Sequence, residues 1–566
     1  MARGSDSSWD LPGCEASAPE TGLRSLRFGA IMNRNLDMNQ RQQAHACYGA
    51  LHLLLVGSLL SVPIAAESFA QQTPEDRAAA GLEEITEEAK LELAVFDQGA
   101  RFGIAVALSD DAIVAGAPSE DEPLDNQGSA YVFQRDPEGP RPWRVVKKLV
   151  ASDGQENDNF GEYLAMDRET VVVTSWRAGK AYVFERHSGG RDTWEEVRIL
   201  VGNPAEQFGS AAAIEGDTIV IGAQADSEEF FRSGAAYVFE RNEGGPGAWG
   251  QTAKLTASDA GTDHFFGTAV AVDGDRIAVG AGAAPGQRAY VLERSQPGTG
   301  DWSEVAILFP SGTGQLFGEE ITLSGDTLVV GAPNDDSVGA AYVYDRDHGG
   351  AGAWGEVKRL SMPDDGGGQS DDFGGAVALE RDRLAVGSGG GGGAFPDSGV
   401  IWMYERDAGG ADNWGAVAKI FATDAADADG LGVSAALDGH TVVGGASGVN
   451  AESSNEGAAY TFLLGPSLWS SGACPGPTTI GLAGGTPNEL AGLIWAFAPG
   501  VFSVPAGDCL GLELGLDQPN LLNTLRADGD GEVRFDITAP AGICDLLLQA
   551  IDLAACEASN VTTLDQ

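Results

Sequence analysis

Phe-Gly recurs along this 566-residue chain at Phe102, Phe160, Phe208, Phe266, Phe317 and Phe373, and Leu431-Gly432 continues the series as a degenerate seventh copy. The intervals are 58, 48, 58, 51, 56 and 58 residues. After each pair, twelve residues lead to a small-residue triplet such as Gly116-Ala117-Pro118, Gly280-Ala281-Gly282 or Gly331-Ala332-Pro333. An aromatic strand follows (SAYVFQRD, KAYVFERH, AAYVFERN, RAYVLERS, AAYVYDRD, VIWMYERD, AAYTFLLG). Six units then add a Trp and a short apolar strand, from Trp143 through Trp194, Trp249, Trp302 and Trp354 to Trp414. Each unit reads as four short strands joined by turns, with no helical periodicity.

One four-stranded sheet cannot bury both its faces, so seven such sheets must stack on one another. Units of forty to fifty residues or somewhat more suit radial closure. The 80 glycines agree with many short strands and tight turns. The seventh unit stops after AAYTFLL and lacks its Trp and last strand, whereas Ala89-Lys90-Leu91, upstream of the first Phe-Gly, matches Ala253-Lys254-Leu255. An N-terminal strand is therefore expected to complete the seventh blade and close the ring, which removes exposed sheet edges. The fold expected is all-β: a seven-bladed propeller over residues 85–465, followed at 466–566 by a small, disulfide-containing β-sandwich-like domain.

The paired Phe-Gly and Gly-Ala-Pro landmarks resemble FG-GAP repeats, which build the seven-bladed head of integrin alpha subunits. Units such as FGTAVAVDGDRIAVG with AAYVFER and a following Trp are closer to the bacterial exported variety. The resemblance covers about 380 residues and implies a propeller, but it implies no single function, because such scaffolds host many binding roles and a few enzymes. In the integrin-like repeats the segment between the landmarks holds a calcium loop resembling Asp-x-Asn-x-Asp-Gly-x-x-Asp.

That loop does not carry over. Calcium takes six to eight oxygens. Here the twelve residues between Gly318 and Gly331 are used up by two five-residue strands and a two-residue turn. The turn pairs read Asp110-Asp111, Arg168-Glu169, Gly216-Asp217, Gly274-Asp275, Gly325-Asp326, Arg381-Asp382 and Gly439-His440. Gly-Asp suits a primed hairpin turn, and a set containing Arg168, Arg381 or His440 suits calcium poorly. No cofactor, metal or catalytic residue is therefore assigned. Acidic clusters stand elsewhere, just before Phe-Gly (Ser152–Asn159, Ser258–His264, Pro363–Asp372, Thr423–Gly430) and after the triplets (Glu120-Asp121, Asn334-Asp335-Asp336). They read as solvated loop tips, with weak calcium binding or a charged contact surface as alternatives.

Enzyme signatures are missing. His187, His264, His348 and His440 occupy different repeat positions, and the propeller region has no cysteine. The run Gly387–Phe395 lacks the Lys-Ser/Thr of a phosphate loop and reads as a flexible connection.

The ends of the chain supply an address. Leu51–Ala66 is an apolar run preceded by Arg34 and Arg41 and followed by AESFAQQ, the order of a secretory signal. Residues 1–70 read as a leader and 71–84 as a linker, and no other segment is a candidate membrane span. The chain beyond residue 70 still carries 29 basic against 77 acidic residues. That excess argues against nucleic acid and anionic membranes as partners and favours solubility as a monomer. Cys474, Cys509, Cys544 and Cys556 crowd the last hundred residues, which in an exported chain suggests two disulfides of open connectivity. Ala527–Phe535 (ADGDGEVRF) reads as a hairpin turn, because it lacks the distal Glu of a calcium loop.

The function expected is an exported, non-catalytic binding protein presenting propeller loops to a protein or glycan at the cell surface, in the periplasm or outside it. Two alternatives stay open: a hydrolase or lyase with carboxylates at the channel mouth, and an envelope protein whose acidic loops take up calcium.

Overall fold

The computed structural model describes the chain from Glu83 to Gly465, apart from short loop segments, and beyond that the backbone of nine strands between Ser467 and Thr563. The leader and all four C-terminal cysteines lie outside the described residues, as does the ADGDG stretch.

Seven antiparallel sheets follow one another in chain order. Blade 1 is typical: Val106–Ser109, Ala112–Ala117, Ser129–Arg135 and Trp143–Leu149 pair in sequence. The first strands of successive blades pack against one another around a ring, blade 7 against blade 1 included, so the first strand of every blade is innermost. The second strands, such as Ala112–Ala117 and Thr327–Ala332, are buried along their whole length. Both faces of a blade must therefore be apolar, and the core lies between blades. One cluster joins Val114 and Val132 of blade 1 to Phe160, Val171, Tyr182 and Trp194 of blade 2.

Closure follows the expected route. Glu87–Leu91 pairs antiparallel with Ala458–Leu463 as the outermost strand of blade 7, placing Leu91 opposite Ala459 and Lys90 opposite Tyr460. In blade 3 Leu255 lies opposite Ala236 and Lys254 opposite Tyr237, the same register. One strand was not anticipated. Glu83–Ile85 adds in parallel to the outer edge of blade 6, against Ala418–Ile420, just before the chain crosses to blade 7. Glu83 and Glu84, read above as the end of a linker, thus cover an open edge.

Beyond Gly465 the backbone forms a three-stranded and a four-stranded antiparallel sheet and a two-stranded ribbon, from Ser467–Gly472 to Glu557–Thr563.

Candidate functional site

Because each blade is an up-and-down meander, the loops fall at two opposite ends of the strands. The turns between first and second strands lie at one end, the turn face. The Phe-Gly pairs, the loops after the small triplets and the loops between blades lie at the other, the seam face.

The seam is built by the landmarks themselves. Every landmark Phe is buried, and most meet the Tyr or Phe of their own third strand edge-on, as Phe160 meets Tyr182 at 5.3 Å. In five of the seven units the landmark N–H bonds back into the preceding blade, as Phe160 does to Gln127 O at 2.9 Å, Phe266 to Ser233 O at 3.0 Å and Phe102 to Glu456 O at 2.9 Å, whereas Phe208 and Phe317 donate to Asn203 and Gly314 of the loop just before them. The following glycine has positive φ in all seven units, from +82° at Gly103 to +101° at Gly161. Added Cβ atoms would overlap neighbouring backbone: one on Gly116 would strike the Gly161 carbonyl, and one on Gly267 the Ala235 carbonyl. Phe-Gly and Gly-Ala thus mark where two blades meet backbone to backbone.

The turn face is closed on itself. The first turn residue has φ between +50° and +57° in all seven units, whether it is Asp110, Arg168, Gly325 or Arg381. Its N–H bonds to the side chain that ends the preceding blade's first strand. Arg168 donates to Ser109, Gly216 to Asp167, Gly274 to Glu215 and Gly325 to Asp273. Arg381 donates to Ser324, Gly439 to Glu380 and Asp110 to Asp438, which closes the circle. Burial, partly offset by the Asp110 N–H, pushes the Asp438 carboxyl up to about 6. Asp326 lies 3.0 Å from Arg276 of blade 4 and 3.9 Å from Arg346 of its own blade. The turn aspartates are corners held by arginine.

The Glu-Arg and Trp signals belong to the same staple. Arg241 pairs with Glu185 of blade 2 and with Asp217, and stacks on Trp249 at 4.5 Å. Arg294 repeats this on Glu240, Asp275 and Trp302, and Arg406 on Asp345, Asp382 and Trp414.

The acidic clusters on the seam face are not simply solvated tips. In six blades one carboxylate binds the third-strand tyrosine and a cation. Blades 1, 3 and 5 take it from the loop after the triplet: Glu120 with Tyr131 and Lys148, Asp226 with Tyr237 and Lys254, Asp335 with Tyr342 and Arg359. Blades 2, 4 and 7 take it from the loop between blades: Asp153 with Tyr182 and Lys180, Asp259 with Tyr290 and Arg288, Asp424 with Tyr460 and Lys90. Burial would raise Asp226, but the Lys254, Glu228 N–H and Tyr237 hydrogen bonds hold it below the usual carboxylate range. The same burial and the Asp226 partner push Tyr237 up to about 12. Sequence inspection missed these triads, although Tyr stands at one repeat position in six units. No cluster of metal-ligating side chains forms among the described residues.

Two features remain uncommitted. At the channel entrance, the two positions after Phe-Gly carry Glu162-Tyr163 in blade 2 and Glu319-Glu320 in blade 5, against small or apolar residues elsewhere. Burial, with Glu319 adding to it, pushes Glu320 up to about 8, and Glu319 is raised as well. Burial and the charges of Glu162, Glu320 and Glu319 raise the Tyr163 phenol, while Arg101 holds Glu162 at 3.3 Å.

The second feature is a cleft of about 410 Å³ over blade 3, lined by Gln207, Gln224, Ser227, Phe231, Arg232 and Phe265 with two alanines. The Arg232 guanidinium lies 4.9 Å from the Phe231 ring and 5.9 Å from that of Phe265. The equivalent turn of blade 2 presents Arg177 over Trp176 at 4.6 Å. Blades 5 and 6 and the loop between them instead show Asp336, Asp372 and Asp397 on this face. His187, His264, His348 and His440 stay on separate loops. His264 Nδ1 is buried without a hydrogen-bond partner, one residue before Phe265.

A family model described as FG-GAP repeat matches residues 85–133, 143–184, 194–239, 249–292, 302–344 and 414–462. Each match begins at an outermost strand and ends on the third strand of the next blade, so the sequence repeat spans a seam rather than a blade. Residues 345–413, with the Phe373 copy, fall outside the matches yet build the same topology. No curated protein matches the chain. Six matched segments between residues 85 and 462, together with the positive-φ glycine that follows the landmark at all seven seams, place the protein in the FG-GAP repeat family.

Proposed function

We propose that this is an exported binding protein, without catalysis of its own, that presents its seam face to a protein or glycan ligand at the cell surface. One observation carries the reading. The seam backbone repeats while its outward side chains change, from Asn126 beside Asn159 to Arg232 beside Phe265 to Asp397 beside Gly430, with the same N–H to O=C bond in each. A rigid frame that varies only its displayed groups is what recognition needs. The turn face spends its polar groups on neighbouring blades and has fewer to offer. The leader-like segment and the excess of acid support export.

The test is retention of the intact chain on envelope fractions of its host. Changing Trp176→Ala, Phe231→Ala and Arg232→Asn together should release it, while Asp217→Asn with Asp326→Asn should not. Equal retention of both variants would sink the reading.

The channel carboxylates favour a second reading, a hydrolase using Glu320 as a proton donor, because its raised proton affinity suits that role. Glu320→Gln abolishing a hydrolytic activity of the purified chain would establish it. The first reading has more of the surface behind it.

A further inference from the structure

We propose that the cleft over blade 3 binds a uronic-acid residue of an acidic glycan, with its carboxylate on Arg232 and its ring against Phe231 and Phe265. This rests on the seam face being the binding face. It adds the ligand's chemistry.

The first support is the arginine. Most described arginines of this acidic chain are paired with carboxylates, as Arg241, Arg294, Arg359 and Arg406 show. Arg232 has no carboxylate partner among the described residues and is exposed, held by the two phenyl rings alone. The acids on its own loop are engaged elsewhere, Glu228 by Lys254 and Glu229 by Thr256. A stacked guanidinium keeps its planar fork free, and that fork matches a carboxylate bidentately. The formal charge of −49 opposes an anion at long range, but salt screens exposed charges beyond about 8 Å, so the local group decides.

The second support is the lining. Phe231 is 59 % exposed, with Phe230 at 50 % beside it and Phe309 at 56 % on the next inter-blade loop. These are the exposed phenylalanines among the described residues, and all lie on blades 3 and 4 or the loop leaving blade 4. Exposed apolar groups gathered on one sector mark a contact site. Between the rings stand polar groups with capacity to spare. The Gln207 amide makes no hydrogen bond among the described residues, and Gln224 gives its oxygen to Thr268 and keeps its NH₂ free. Flat rings with amides at their rim and one guanidinium suit a pyranose: the rings face C–H groups, the amides the hydroxyls and the arginine the carboxylate. The volume falls within the ~300–1,000 Å³ of small-molecule sites. A peptide adding as a strand would need an open sheet edge, and this cleft is lined by residues outside the strands, with the second and third strands of blade 3 already paired on both sides.

Backbone geometry shows how to test it. Arg232 has φ +50°, and Asn126 takes the same place in blade 1 at +48°. Arg232→Asn therefore keeps the loop, and Phe231→Ala removes only an exposed ring. Titration calorimetry on the intact chain, in calcium-free buffer, would use tetragalacturonate, its carboxyl-reduced neutral counterpart and an acidic peptide containing Phe. Tetragalacturonate should bind. Arg232→Asn should weaken it tenfold or more, Arg232→Lys and Phe231→Ala several-fold, with unchanged melting temperatures. Equal binding of the neutral sugar, indifference to Arg232→Asn, or binding of the peptide in place of the sugar would each overturn the proposal. If no probe binds while envelope retention still depends on the seam residues, the uronate assignment falls and the seam reading stands.

Discussion

The seam face and the turn face are both seven-fold, both made of loops, and both rich in acid, yet they use their residues in opposite ways. On the turn face each strand-ending side chain is spent on the next blade's N–H, and the turn aspartates of blades 3 to 6 are held by arginines. On the seam face the backbone does the joining, through Phe N–H bonds and glycine contacts, and the side chains are left to vary. A ring that locks one end with side chains and the other with backbone keeps the second end free for recognition.

The largest expected effect separates glycines of the two faces. Gly267→Ala meets both a positive φ and the Ala235 carbonyl, so it should cost about 3 kcal/mol or more, or prevent folding. Gly274→Ala has the same sign of φ but open space, and should cost about 1 kcal/mol. Denaturant midpoints would compare them, and equal losses would end the distinction drawn between the faces. Arg241→Ala removes a staple between partly exposed charges, to Glu185 and Asp217, and a stack on the buried Trp249, and should cost about 1–2 kcal/mol by the same measurement.

A smaller effect concerns the channel. Glu320 holds its proton up to about 8 in the fold against an ordinary value of 4.5. The folded state therefore binds more protons than the unfolded one across that window, and stability falls as pH rises through it. Glu320→Gln cannot ionise, so it should melt ~1–3 °C above wild type at pH 8.5 and level with it near pH 4.5. The reverse order would mean that the carboxylate is stabilised by an unrecognised cation. Smallest of all, Asp326→Asn should change stability by at most about 0.5 kcal/mol and leave the melting temperature equally indifferent to millimolar calcium. A calcium-dependent rise lost in this variant would restore the aspartate as a ligand.

Much of the architecture was legible in the chain because repetition reports itself. Seven Phe-Gly or Leu-Gly pairs, a missing last strand and Ala89-Lys90-Leu91 were enough to place the closing strand in register. The Gly325-Asp326 turn followed from counting, since two five-residue strands leave room for only two residues. The carboxylate–tyrosine–cation triads were not legible. They draw their acid now from one loop and now from another, so no fixed spacing marks them. The Arg232 cleft was invisible for a related reason: Gln207, Gln224 and Phe265 are far apart in sequence and come together only where two seams flank one blade.

What was decided by residue order alone is the blade, its period and the way the ring closes, because strand patterns and turn glycines act locally and recur. What needed the folded ring is which charges are spent and which are free. An acid, a tyrosine and a lysine or arginine drawn from two or three separate segments meet only at hydrogen-bond distance, and that distance exists only once the strands have paired and the blades have stacked. Asp153, Asp226 and Asp335 are consumed in this way, and Arg232 is left over.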